Sequence, residues 1–171
     1  MAELEFLLDL PVRSEWAHVE RVRSALDGFL RSLSGDPDSS HVLSTLAAEL
    51  SENAVKYGYY PTGEGHLRLR IRGELPAVEV VVENPIDGAE VPRGLSAALA
   101  FIAAQPSAQA AYEAKLRERS AAAGSAESGL GLTRVAYELG CSLRAEAHPG
   151  RLRVCAALRL PWSPSGHKGA Q

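Results

Sequence analysis

Residues 46–60 read LAAELSENAVKYGYY, and the rest of the 171-residue chain is best read outward from them. Together with Val42, the apolar positions Leu46, Leu50 and Ala54 recur every fourth residue, the spacing of one helix face. This predicts a helix over about 41–57, with Glu49, Glu52, Asn53 and Lys56 off the apolar stripe. Glu49 and Asn53 are four apart, so they share a face one turn from each other. A carboxylate so placed can orient or deprotonate a hydroxyl or a water. A side-chain amide oxygen can ligate a hard cation such as Mg2+, which keeps several waters and bridges phosphates. Lys56, three further on, could reach a phosphate as a point charge. Spacing alone favours a plainer account, a solvated helix face with scattered polar residues.

A second stretch raises the first above that account. Residues 128–133 read SGLGLT, two glycines flanking one leucine at the start of a helix predicted over about 130–139. Backbone amides exposed at a helix start, with no Cβ in the way, form an anion site, and the helix dipole favours a phosphate there. The preceding small, polar residues 120–129 have the composition of a mobile loop that could close over a ligand. Alone, the GxG also fits a flexible turn into a helix.

The remaining chain supplies a sheet and its cover. Residues 4–10 (LEFLLDL) predict a strand ended by Pro11, and Ser14 is a candidate N-cap for a helix through about Leu33. Ser34–Ser40 is a turn-rich break. HLRLRIR at 66–72 alternates strictly, a half-buried strand with arginines on its wet face, and AVEVVVE at 77–83 predicts a more deeply buried one. Asn84-Pro85 and Asp87-Gly88 mark a turn or loop. Helices over about 94–104 and 107–121 follow, separated by Pro106, and strands near 141–147 and 151–160 turn at Pro149-Gly150. This order predicts an α+β two-layer sandwich, a mixed sheet covered on one face by helices. Residues 1–161 form one domain in this reading and 162–171 a disordered tail.

Bulk properties narrow the function. At 46% hydrophobic and 23% charged residues the composition is globular, and a net charge of −3 provides no field to draw the chain to nucleic acid or an acidic membrane. Arg68, Arg70 and Arg72 form a stripe without interleaved aromatics, which reads as a solvated strand face rather than a nucleic-acid platform. The N-terminus lacks the basic start and apolar run of a signal peptide, and no stretch has the length of a membrane span. The expected compartment is the reducing cytoplasm, with Cys141 and Cys155 as buried thiols on neighbouring strands. His41, His66, His148 and His167 are scattered without metal-ligand spacing.

ELSENAVKYG at 49–58 and its neighbours resemble the N box of the GHKL ATPases, the fold shared by histidine kinases, gyrase, Hsp90 and MutL, and SGLGL resembles that family's second glycine box. The resemblance covers about residues 1–161. It implies Mg2+ and ATP as cofactors, Glu49 as the base, and Asn53 as the Mg2+ ligand. It also implies a phosphate-binding lid built from Ser128, Gly129, Leu130, Gly131 and Leu132. A glutamate four before the asparagine resembles the anti-sigma serine kinases more than the histidine kinases. One departure is clear. The DxGxG box, whose aspartate reads the adenine amino group, is replaced by VVVENPIDGAEVP at 80–92. SiaB-like kinases are similar in lacking it: an Asn after the third strand, a helical insert with a Tyr, and a GLGL loop match Asn84, Tyr112 and Ser128–Leu132. In that resemblance Asn84 becomes the base-side contact, since an amide both donates and accepts. A turn-forming role before Pro85 has nearly equal weight. Tyr57, Tyr59 and Tyr60 could stack on adenine at a pocket mouth, though rim or core packing is the commoner role.

The implied function is an ATP-binding regulatory protein, a Ser/Thr protein kinase acting on a small STAS-domain or sigma-factor-like partner in bacterial signalling. Two alternatives stay open: a non-catalytic, anti-sigma-like module that sequesters its partner, and an ATP-driven switch. Relatives of this type often dimerise, so a homodimer stays open too. No nucleic-acid or membrane partner is expected.

Overall fold

The structure, a computed structural model, describes residues 3–12, 24–29, 31, 36–60, 65–121 and 130–161. Five strands form one sheet: β1 (Glu3–Val12), β2 (Gly65–Glu74), β3 (Ala77–Pro85), β4 (Ser142–His148) and β5 (Arg151–Arg159). Their spatial order is β1-β2-β3-β5-β4, and every neighbouring pair is antiparallel. The expected mixed sheet is therefore corrected to an antiparallel one. The helices inserted after β3 bring the chain back so that β4 runs parallel to β3, but β5 turns at Pro149-Gly150 and slots between them. Gly150 takes φ +72° at that turn, a backbone conformation that disfavours side chains.

Four helices are described in full: α1 (Pro37–Tyr57), α2 (Arg93–Ala104), α3 (Ala108–Ala121) and α4 (Leu130–Glu138). A further helical stretch occupies 24–29, where Leu26 is buried. The expected cap at Ser14, residues 122–129 and the expected tail 162–171 lie outside the described residues.

The strand pattern sorts side chains between two faces. Leu67, Leu69 and Ile71 of β2, Val78, Val80 and Val82 of β3, and Leu152, Val154 and Ala156 of β5 face the helices and are buried. Leu43, Leu46, Ala47, Leu50 and Ala54 of α1 meet them in one core cluster. The opposite face is charged, as the arginine stripe predicts. Arg68 donates from Nε to Asp9 at 2.8 Å, Arg72 donates to Glu79 at 2.8 Å, and Arg153 donates from Nε to Glu83 at 2.7 Å. Cys155 lies on this face, opposite Arg144 in register, whereas Cys141 belongs to the helix-side core. Both thiols are buried and free, and the sheet separates them.

Two boundaries differ from expectation for local reasons. β1 continues through Pro11 to Val12, because an edge strand has one side whose N–H groups need no partner. α1 begins at Pro37 rather than near His41. Asp36 caps it, accepting from the Ser39 amide at 3.2 Å, and Pro37 at the first position loses only an N–H that has no partner within the helix.

Candidate functional site

α1 lies on β3 with its apolar stripe down, and this leaves Glu49 and Asn53 on a flank of the helix, half-buried. The Asn53 Nδ2 donates to the Glu49 carbonyl at 2.9 Å. A carbonyl oxygen only accepts, so this bond fixes the amide orientation and turns Oδ1, an acceptor with cation-ligating chemistry, to the other side. The Glu49 carboxylate has only 14% of its side-chain surface exposed.

α4 closes on that flank. A Cβ built on Gly131 would sit 2.6 Å from Glu49 Oε2, so the absence of a side chain is what lets the helix start lie against the carboxylate. Leu132 and Thr133 beside it are buried, and Thr133 Oγ1 donates to the Leu130 carbonyl at 3.0 Å. Leu132 thus anchors the first turn in the core, and its contribution to any ligand is its backbone. Arg134, one turn beyond Gly131, brings its guanidinium onto the Glu49 carboxylate as a hydrogen-bonded ion pair. Sequence reading missed this arginine. Its spacing of three from Gly131, which puts both on one helix face, was the available signal.

Asn84 proves to be part of β3, not of a loop. It pairs with Leu152 in register and is buried with 1% exposure on the helix side of the sheet. Its Nδ2 donates to the Pro85 carbonyl at 3.0 Å, and the same carbonyl accepts from the Tyr59 amide at 2.9 Å, which ties the exit of α1 to the end of β3. The Asn84 Oδ1 has no hydrogen-bond partner among the described residues. A buried acceptor left so costs about 1–3 kcal/mol, which a donor would recover.

Other residues fall elsewhere. Lys56 is exposed, its ammonium 5.3 Å from the centroid of the Tyr57 ring, and nothing draws it toward Glu49. Ser128 and Gly129 lie outside the described residues. Tyr60 packs rather than stacks on a ligand. A Cβ on Gly58 or on Gly65 would each fall 2.4 Å from its ring, and its hydroxyl donates to the Ala54 carbonyl at 3.2 Å. Burial pushes its phenol up to about 12. Tyr112 of α3 stacks on Tyr137 of α4, with ring centroids 5.6 Å apart.

The residues fit a magnesium nucleotide in kind. They offer an amide oxygen for the cation, a glycine helix start for phosphate, a carboxylate for a proton and an orphaned acceptor suited to an exocyclic amine.

No protein-family model matches the chain, and no curated protein does. Among solved structures, it is similar to a chain in the crystal structure of the SiaB–SiaC complex from Pseudomonas aeruginosa. The TM-score is 0.57 at 20% identity, covering 88% of each chain. A histidine kinase domain from the Erythrobacter litoralis EL346 blue-light activated histidine kinase matches with a TM-score of 0.45 at 15% identity, over 84% of this chain and 60% of that one. At such identity the first likeness is one of fold: the chain shares the α+β fold of that chain from the SiaB–SiaC complex.

Proposed function

We propose that this chain binds Mg-ATP and acts as a Ser/Thr protein kinase on a small STAS-type protein partner. The observation that carries the reading is the contact between two segments far apart in sequence, the Glu49–Asn53 turn of α1 and the Gly131 start of α4. Each is ambiguous alone. Together they offer a carboxylate against a helix start, with the Asn53 amide one turn along α1.

In this reading Asn53 holds Mg2+ through Oδ1, and the amides from Leu130 to Leu132, with Ser128 and Gly129 before them, hold phosphate oxygens. Mg-ATP supplies the phosphoryl group and the cation that offsets its charge. Glu49 orients the acceptor hydroxyl and takes its proton, and positioning with electrostatics does most of the work. Asn84 accepts from the adenine amino group. Lys56 is assigned no contact. The existence of a SiaB–SiaC complex supports a partner protein for a chain of this fold. Action in the cytoplasm, an anti-sigma-like role and the option of a homodimer belong to the same reading.

Calorimetry with Mg-ATP and transfer from γ-labelled ATP to candidate STAS-type proteins test it. Asn53→Ala is expected to lose the Mg-dependent part of ATP affinity, and Glu49→Ala to abolish transfer while retaining binding. Binding without any transfer would instead identify a nucleotide switch, and no nucleotide binding would leave a sequestering module.

A further inference from the structure

Arg134 lies in the candidate site, and the reading above gives it no task. It stands three residues past Gly131 on α4 and reaches across 85 positions of sequence to Glu49. The two ends of this ion pair differ. Glu49 is 14% exposed, whereas the Arg134 side chain is 42% exposed and its Nε also lies 4.0 Å from Oε2 of the solvent-facing Glu138. The arginine thus spans from a largely buried carboxylate to the surface.

A guanidinium carries five N–H donors in a planar fork, and a carboxylate engages two of them at most. Arg134 therefore retains donors beside the start of α4, where phosphate is expected. Its pairing also has a cost for chemistry. Glu49 can take a proton only through an oxygen lone pair, and Arg134 Nη2 engages one of its two oxygens, Oε1. A polyphosphate beside α4 is a better partner than one carboxylate, since it carries more charge and matches the fork bidentately.

We propose that Arg134 reads the nucleotide's polyphosphate, leaving Glu49 as it does so, which frees both carboxylate oxygens when phosphate is bound. The inference rests on the Mg-ATP reading above. It makes Arg134 a discriminator of phosphate number, not a mere staple between α1 and α4. A staple would affect all adenine ligands alike, whereas a phosphate reader affects them in order of charge.

The test is calorimetry on the full chain with Mg-ATP and with AMP, for wild type, Arg134→Ala, Arg134→Gln and Arg134→Lys, with thermal melting of each as a check on folding. Removing the guanidinium is expected to weaken Mg-ATP binding about tenfold or more, the scale of a charge-assisted hydrogen bond, and AMP binding far less. Arg134→Lys should recover part of the difference. Equal weakening of both ligands, or no change in either, would overturn the proposal. Arg134→Gln keeps the length of the side chain and so still gives the ratio if the alanine variant folds poorly. A wild-type chain that binds no Mg-ATP would overturn the earlier reading and this one with it. A wild type that binds, with the ATP-to-AMP ratio unmoved in the variants, would overturn this one alone.

Discussion

At the scale of single residues, Asn84 is the most informative side chain. One of its two Nδ2 donors is committed to the Pro85 carbonyl, and its Oδ1 has no hydrogen-bond partner among the described residues. An adenine presents a donor amine at position six, and guanine or hypoxanthine presents an acceptor there. Mg-ATP should accordingly bind at least tenfold more tightly than Mg-GTP or Mg-ITP, a preference that Asn84→Leu removes and Asn84→Asp keeps, as competition calorimetry would show. Equal affinity for the three nucleotides would deny Asn84 this role. Tyr60 and Cys141 make a separate prediction about pH. Burial raises the phenol from 10.0 to about 12 and the thiol from 9.0 to about 11. In both, the folded state favours the protonated form, so their contribution is complete below the unfolded values and is lost as pH rises through the folded ones. Stability measured by urea denaturation should fall from about pH 9 to 12, and Tyr60→Phe should flatten the upper part of that fall.

At the scale of elements, α1 was legible in the sequence because its apolar residues recur at helical spacing, and the charge-bearing flank followed from the same arithmetic. Its start was not: SGDPDSS reads as a break, and only the Asp36 cap with Pro37 shows that the break is the helix entry. Asp36→Ala should therefore lower stability by about 1 kcal/mol in chemical denaturation, the usual worth of such a cap. The Asn84-Pro85 pair misled in the opposite sense. It carries turn residues, yet the β5 partner holds β3 in register through Pro85. Arg134 was only faintly legible, through its spacing from Gly131, because an arginine on a helix surface reads as solvated and its partner is distant in sequence. Gly131→Ala tests the join between α1 and α4. The added methyl would push the Glu49 carboxylate aside, a flexible group, so we expect a small loss of stability but a tenfold or greater loss of phosphate transfer.

For the whole molecule, the sheet divides a helix-covered face from a charged open face, and the proposed site belongs to the helix side. Cross-strand pairs such as Arg68–Asp9 and Arg153–Glu83 keep the open face wet, and exposed pairs of this kind add little to stability. The alternating strands foretold these two faces, but strand direction depends on how the helices between β3 and β4 carry the chain back, which no local pattern encodes. The account's central claim is that one nucleotide bridges α1 and α4 on the covered face. Amide hydrogen exchange with and without Mg-ATP tests it most directly. Added slowing should be confined to 46–57, 84–86 and 130–138 and be absent from the outer strands β1 and β4. Exchange unchanged by Mg-ATP, or slowed only along the open face, would contradict it.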